Sequence, residues 1–226
     1  MKRFHGGRSS VGVAWAAMLS ASVLTGCRPP ESAEATTPEA PPPAAIAAYV
    51  PRLGDLVFQS SPRGPLINAI EGATQSPYSH CGIVARRDEA WVVVEAVEPV
   101  KETPLAQWIA RGRQAGFAVY RFEEKYADKL PVMIAAARRH LGKPYDMRYD
   151  FDDEKLYCSE LIYKAFREAT GEECGAVCRL GELNWRPYET FIRMLEGGDL
   201  PLERRMITPR AVSEATQLKL VLRKGI

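Results

Sequence analysis

The stretch LYCSELIYKAF, residues 156–166, places a cysteine at the start of a predicted amphipathic helix. The apolar residues that follow Cys158 recur at the spacing of one helix face, and they are Leu161, Ile162, Ala165 and Phe166. Cys158 could therefore be a small buried hydrophobic residue, as free cysteines often are. It could also be a nucleophile, because the unpaired N–H groups and the dipole at a helix N-terminus favour the thiolate. The rest of the sequence has to distinguish these two interpretations.

A predicted β-hairpin supplies a candidate base. The runs YSHCGIVAR (78–86) and WVVVEAV (91–97) are rich in strand-forming residues, and the polar residues RDE separate them. If the turn is centred on the Arg-Asp pair, the numbers of paired residues sum to 175, and His80 lies directly opposite Glu95. A one-residue slip would put the two side chains on opposite faces of the sheet. A structural ion pair on a solvated face is the alternative interpretation of this pair.

Cys158, His80 and Glu95 together have the chemistry of a thiol nucleophile, its base and a carboxylate that orients the base. The sequence offers little choice of base, because it contains three histidines. His5 lies in an N-terminal signal, and His140 lies at the end of a predicted helix, where a cation suits the helix dipole. His80 is the histidine in a strand context.

The pattern along the remaining chain predicts an α+β fold, with strands clustered before the Cys158 helix and helices alongside them. Further strands are predicted over 54–60, 117–122 and 218–222. Helices are predicted over 65–75, 104–112, 130–142 with Gly142 as the end, 158–170, 187–195 and 209–215.

The segment LGKPYDMRYDFDDEKLYCSELIYKAF (141–166) resembles the nucleophile segment of NlpC-type cysteine peptidases. Gly142, Pro144 and Tyr145 match the G-x-P-Y loop of those enzymes, and Cys-Ser at the helix start matches their nucleophile. The resemblance implies that Tyr145 lies near Cys158 and helps to bind an oxyanion through its hydroxyl. The main-chain N–H of Cys158 is then the expected second donor.

The order of the site residues points to a permuted variant of that fold. His80 precedes Cys158, whereas the peptidases place cysteine first. This order, together with GDLVFQS, SPYSHCGIV, VVVEAV and ITPRAVSEATQLKLV, resembles the circularly permuted papain-like proteins of the YiiX/YaeF type over nearly all of 53–222. The resemblance implies an antiparallel sheet with packed helices and Glu95 as the orienting residue, although the related lecithin:retinol acyltransferases use a second histidine there. The insertion GEECGAVCRLGELNW (171–185) matches no feature of the family.

The other cysteines of the domain have different expected roles. Cys81 has the opposite strand parity to His80, so we expect it to face the core on the other side of the sheet. Cys174 and Cys178 could form a local disulfide in an exported protein or remain free thiols. Zinc on the three candidate catalytic residues is disfavoured, because no metal-ligand spacing pattern is met. We therefore expect neither a metal nor another cofactor.

The N-terminus predicts export and lipidation. A basic start and a short apolar stretch, too short to span a bilayer, fill residues 1–26. They end in LTGC, which resembles the lipobox of bacterial lipoproteins, with Cys27 as the acylated residue. An ordinary secretory signal would not need a cysteine there. Residues 27–48 are rich in Pro and Ala and predict a tether, so the catalytic domain is expected over 49–226.

The charge of the chain gives no indication of a nucleic-acid partner. Removing Lys2, Arg3 and Arg8 with the signal changes 30 basic residues to 27, against 28 acidic residues. The slight positive charge of the full sequence therefore belongs to the signal. Arg28 in place of an aspartate after the lipidated cysteine favours the periplasmic face of the outer membrane in a Gram-negative host.

The sequence thus predicts a lipid-anchored thiol hydrolase or acyltransferase of the cell envelope. It would act on an amide or ester of a cell-wall peptide or an acyl lipid through an acyl-cysteine intermediate, and it would meet the membrane through the lipid on Cys27. A non-catalytic lipid- or peptide-binding lipoprotein is the alternative from another class. A purely structural protein would instead have Cys158 buried and inert. The oligomeric state is not set by these patterns.

Overall fold

A six-stranded antiparallel sheet lies at the centre of the computed structural model, which describes residues 49–226. The strand order is β4-β3-β2-β1-β5-β8. These strands are β1 (Leu56–Gln59), β2 (His80–Arg87), β3 (Ala90–Glu95), β4 (Lys101–Pro104), β5 (Phe117–Phe122) and β8 (Leu218–Lys224). A separate two-stranded ribbon pairs β6 (Cys178–Arg179) with β7 (Arg205–Met206). The α+β prediction with an antiparallel sheet is confirmed.

Helices cover both faces of the central strands. The helices are α1 (Pro65–Thr74), α2 (Leu105–Arg111), α3 (Leu130–Arg138), α4 (Cys158–Thr170), α5 (Glu189–Glu196) and α6 (Pro209–Ser213). The main core lies between one sheet face and α3 and α4, and a second core lies between the other face and α2. Because both faces are buried, the central strands have continuous apolar runs rather than an apolar-polar alternation.

The β2–β3 hairpin has a different register from the predicted one. Val84 pairs with Val93 and Arg87 pairs with Ala90, so the paired numbers sum to 177 and the predicted sum of 175 is wrong. The turn lies one residue further along, where Asp88 adopts a φ of 53°. A shift of the sum by two preserves the face on which each side chain lies. His80 and Glu95 consequently still share a face.

Two other predicted features differ from the structure. The helix predicted to reach Gly142 ends at Arg138. The residues that follow it are drawn into a turn, because the N–H of Gly142 and the carbonyl of Lys143 both bond to the main chain of Val100. The short strand β4 was not predicted, since its sequence KETP lacks the β-branched and aromatic residues typical of strands.

Cys174 and Cys178 are free thiols, so the disulfide alternative is wrong. Cys174 is fully buried in the main core, whereas Cys178 is held in β6 opposite Met206 and is half-buried. The predicted signal (1–26), the tether (27–48) and Cys27 lie outside the described residues. Among residues 49–226, no helix is long and apolar enough to cross a membrane.

Candidate active site

Cys158 is the first residue of α4 and lies where this helix packs against the beginning of β2. Its two sequence neighbours are both tied to the main chain of Ile207. The N–H of Ile207 donates to the Tyr157 hydroxyl over 3.0 Å, and the Ser159 hydroxyl donates to the Ile207 carbonyl over 2.8 Å. These buried bonds fix the helix end that carries the thiol.

The surroundings of Cys158 favour its thiolate. The Cys81 thiol has the largest effect and lowers the pKa of Cys158 well below its usual value, against the opposing effect of burial. His80 also lowers the pKa of Cys158, through a hydrogen bond and through its charge. A hydrogen bond with the main chain of Cys81 lowers it further. Cys81 is buried in the core on the α4 side of the sheet, as predicted, but it also contacts Cys158, which the sequence did not indicate.

His80 lies between Cys158 and Glu95. Its Nε2 atom is 2.5 Å from Glu95 Oε2, which leaves Nδ1 as the ring nitrogen available to the thiol. Burial acts to lower the pKa of His80, but hydrogen bonds and charges from Cys158 and Glu95 outweigh it and raise this pKa to about 9. The pair is thus set to exist as thiolate and imidazolium at neutral pH.

Glu95 is fully buried and accepts hydrogen bonds from three side chains besides His80. The Thr103 hydroxyl donates to Oε1 over 2.6 Å, the Trp108 indole donates to Oε2 over 2.9 Å, and Arg111 Nη2 also donates to Oε2. Burial acts to raise the pKa of Glu95, but His80 and Arg111 lower it to about 2. The carboxylate is therefore ionised and fixed in orientation.

The sequence did not identify these three additional donors. A signal existed for two of them, because Trp108 and Arg111 are three residues apart on α2 and so share one face of that helix. Thr103 belongs to β4, the strand that was not predicted.

Tyr145, which the resemblance to the peptidase loop implied near the thiol, lies within electrostatic reach of Cys158. Burial, Tyr149 and the charge of Cys158 raise the pKa of Tyr145 well above its usual value. The main chain of Tyr145 is held by a parallel bridge to Leu156 and by an N–H bond of 2.9 Å to Glu98 Oε2. Tyr149 packs edge-on against Tyr145 at 6.3 Å between ring centroids.

Tyr149 is a second tyrosine near the thiol that the sequence did not identify. The charge of Cys158 contributes to the raised pKa of Tyr149, after the larger effect of burial. Its hydroxyl faces Tyr145 but makes no hydrogen bond of good geometry. Its φ of 59° is uncommon for a residue other than glycine, and such strain concentrates at functional sites.

Cys158 is 2% exposed and forms part of the wall of a groove with about 740 Å³ of empty space, which includes open solvent. The lining is mainly apolar and comes from α1, the 171–185 insertion, α5 and the segment after β7. These apolar residues are Leu66, Ile70, Leu180, Leu183, Phe191, Ile192, Leu195, Met206 and Ile207. The stretches PLINAI and LNWRPYETF, whose place in site or core the sequence left open, thus contribute to the groove wall.

The site combines a thiolate-forming cysteine, a protonated histidine and an ionised carboxylate beside an apolar groove. This set of groups is suited to nucleophilic attack on a carbonyl carbon followed by proton donation to the leaving group. Across residues 49–226, no three His, Cys, Asp or Glu side chains come together in the arrangement of a metal site.

Comparison with known proteins identifies similar chains. Residues 50–222 match the family described as "Permuted papain-like amidase enzyme, YaeF/YiiX, C92 family". The Escherichia coli (strain K12) protein described as "Uncharacterized protein YiiX" is 37% identical over 180 residues, which is 78% of this chain and 89% of that protein. A crystal structure described as that of "metalloprotein yiiX from Escherichia coli O157:H7" has a TM-score of 0.73 and 37% identity, and the match covers 78% of this chain and 99% of that one.

Proposed function

The chain belongs to the permuted papain-like amidase family of the YaeF/YiiX type, and on this basis we propose that it is a thiol hydrolase that cleaves acyl amides or esters. The observation that carries the proposal is the Cys158–His80–Glu95 arrangement, whose Cys158 lies at the wall of a mainly apolar groove. Because the groove lining is mainly apolar, we infer that the protein recognises the acyl chain of its substrate.

In the proposed mechanism the Cys158 thiolate attacks the carbonyl carbon of the substrate. The hydroxyl of Tyr145 and the main-chain N–H of Cys158 stabilise the oxyanion, since an N–H at the first helix position has no acceptor within the helix. The His80 imidazolium then gives its proton to the leaving amine or alcohol, and an acyl-Cys158 thioester remains. Neutral His80 next removes a proton from water, which attacks the thioester carbonyl. The C–S bond breaks, which releases the carboxylic acid and restores the Cys158 thiolate and the His80 imidazolium, while Glu95 keeps the ring oriented.

The composition of the groove favours an acyl lipid over a cell-wall peptide. A peptide carries amide and charged groups that lose hydrogen bonds with water in apolar surroundings. An alkyl chain gains about 0.8 kcal/mol for each methylene that it buries. Transfer of the acyl group to a nucleophile other than water would use the same intermediate, and an acyltransferase is therefore a variant of this proposal.

The location of the protein is part of the proposal and rests on the N-terminal sequence. A lipid on Cys27 and a tether over 27–48 would keep the domain close to a membrane of the cell envelope. An enzyme that draws acyl chains into a groove benefits from this position.

A metal does not fit the described site well. The solved relative is described as a metalloprotein. Cys158, Cys81 and His80 lie beside one another here, but among the described residues no three His, Cys, Asp or Glu side chains are arranged to hold a metal ion. Glu95 is already occupied by four donors, so its oxygens are not free to complete a zinc site, which needs three or four protein ligands. The proposed mechanism therefore has no step through a metal.

The proposal is tested with p-nitrophenyl esters and matching acyl amides of increasing chain length, assayed on the purified protein with and without EDTA. We expect kcat/KM to rise with each added methylene, by up to about fourfold per methylene, until the groove is filled. Cys158→Ala should abolish turnover, and Ile70→Trp, which fills the groove, should shift the optimum to shorter chains. Val132→Trp, at an exposed position on α3, is the control and should keep the optimum.

Turnover that persists in Cys158→Ala would contradict the thiol mechanism. A preference for wall-type peptides with no dependence on acyl length would contradict the acyl-chain assignment. Loss of activity in EDTA that a divalent metal restores would show that the metal-free mechanism is wrong.

A further inference from the structure

Three charged side chains line the mainly apolar groove, and two of them neutralise each other. Arg204 bonds Glu196 through both terminal nitrogens, at 2.5 and 2.9 Å. Its Nε atom is also 2.7 Å from Asp150. Arg204 and Glu196 are mostly buried, so this pair forms a fixed part of the groove wall.

Arg148 is the third charged residue of the lining, and its guanidinium forms no salt bridge with a described residue. Within residues 49–226, no acidic side chain forms a salt bridge with Arg148, and its side chain is exposed. An arginine at the edge of an apolar groove therefore presents a free positive charge to whatever the groove binds.

The main chain of Arg148 is held on two sides. Its N–H donates to Asp146 Oδ1 over 2.9 Å, and its carbonyl accepts from Arg204 Nη1 over 2.6 Å. Asp146 is itself buried and also accepts from the N–H of Asp150. The loop that carries Arg148 is thus wrapped around a buried carboxylate, which reduces the entropy that an ionic contact to this residue would cost.

Arg148 also lines the same groove as Cys158. It directly precedes Tyr149, whose pKa is raised in part by the charge of Cys158. Both residues line the groove whose wall includes Cys158. A substrate whose acyl carbonyl is at Cys158 would therefore carry its head group within reach of the guanidinium.

We propose that Arg148 is a specificity-determining residue that binds an anionic group, a carboxylate or a phosphate, on the head group of an acyl substrate. The inference rests on the proposed function and names the substrate class of the same groove: acyl compounds with an acidic head group. The planar fork of arginine suits both anions, because each can accept two parallel hydrogen bonds.

The test uses two substrates that differ by one charge, N-lauroylglycine and N-lauroylglycinamide. The wild-type protein should show a kcat/KM about tenfold higher for the carboxylate, as expected for hydrogen bonds to a charged group. This ratio should fall with rising salt and should drop to near one in Arg148→Gln. Arg148→Lys should give an intermediate ratio, because lysine keeps the charge without the fork. N-lauroyl-phosphoethanolamine, compared with N-lauroyl-ethanolamine, separates phosphate from carboxylate recognition.

Two controls keep this test distinct from general damage and from failure of the proposed function. Arg52→Gln, at an exposed arginine outside the groove, should keep the wild-type ratio. Affinities of the Cys158→Ala variant for the same two compounds, measured by calorimetry, report recognition without turnover.

The turnover and binding measurements separate the role of Arg148 from the proposed function. Turnover of both substrates without a charge preference would overturn the inference and leave the proposed function standing. If neither compound is turned over, but the protein binds the carboxylate more tightly and Arg148→Gln abolishes that preference, the inference stands and the proposed function is wrong. If neither compound is bound or cleaved, both the groove assignment and the role of Arg148 are wrong.

Discussion

At the scale of single residues, Cys158 and Glu95 together raise the pKa of His80. Glu95 has a pKa of about 2 and His80 a pKa of about 9, so the carboxylate and the imidazolium are both charged over most of the range between these values. The pKa of Cys158 is lowered well below its usual value. Activity should therefore rise as the thiol ionises, stay high through neutral pH and fall near pH 9, when His80 loses its proton.

Glu95→Gln removes the negative charge that helps to raise the pKa of His80. We expect the alkaline limb of the pH–rate profile to move below pH 9 and kcat/KM to fall by about 100-fold or more, because the ring loses its orienting acceptor. The measurement is kcat/KM from pH 5 to about 10 with one acyl ester.

Arg111→Gln is the matched variant for this prediction and should shift the alkaline limb in the opposite direction. It removes a cation from the same carboxylate, so the alkaline limb should move to higher pH while much of the activity remains. Limbs that move in the same direction in both variants would show that the charge of Glu95 does not control His80.

At the scale of elements, the close approach of β2 and β3 keeps Glu95 in position. A Cβ atom at Gly82 would lie 2.4 Å from Val93 Cγ1 and 3.1 Å from the carbonyl oxygen of Val94. It would also lie 3.4 Å from the Cβ of Glu95. The absence of a side chain at Gly82 therefore allows the hairpin to pack beside the Glu95 carboxylate.

Gly82→Ala should force β3 away from β2, which would cost about 1–3 kcal/mol in the free energy of unfolding and displace Glu95 from His80. We expect a lower thermal midpoint and a larger loss of kcat than the loss of folded protein explains. Gly64→Ala is the control, because a Cβ there meets no atom within 4 Å. Equal effects of the two substitutions would contradict this account of the hairpin.

The hairpin also shows how much of the structure the sequence could predict. The alternation of side chains placed His80 and Glu95 on one face, and the structure has them bonded there. The register could not be set in the same way, because sums of 175 and 177 give identical faces and differ only in the turn. The donors Thr103, Trp108 and Arg111 come from β4 and α2, and no local motif relates those elements to Glu95.

At the scale of the whole molecule, the groove joins segments that are far apart in sequence. Its walls come from α1, the 171–185 insertion and α5, and they meet Cys158 only when the chain folds. Helix α5 illustrates the limit of sequence analysis. Its apolar pattern predicted a helix correctly, yet none of its residues is fully buried, since its apolar side faces the groove rather than a core.

The N-terminal prediction belongs to this scale as well, and residues 1–48 lie outside the described part of the chain. In a bacterial host, the full-length protein should incorporate labelled palmitate and fractionate with membranes, and Cys27→Ser should abolish both. Release of an unlabelled soluble form from the wild type, with a mature N-terminus other than Cys27, would contradict the lipoprotein assignment.

The central claim is that Cys158 is a thiolate paired with the His80 imidazolium, and the pH dependence of its alkylation tests this most directly. Iodoacetamide modification of the folded protein, located by mass spectrometry, compares the wild type with His80→Ala. Cys174 serves as an internal control, because burial raises its pKa to about 12 and it should stay unmodified at neutral pH. We expect the wild-type Cys158 to react with an apparent pKa well below the ordinary value of about 8.5, and His80→Ala to raise that apparent pKa. An unreactive Cys158, or a profile that His80→Ala leaves unchanged, would contradict the account and would make this cysteine a core residue of α4.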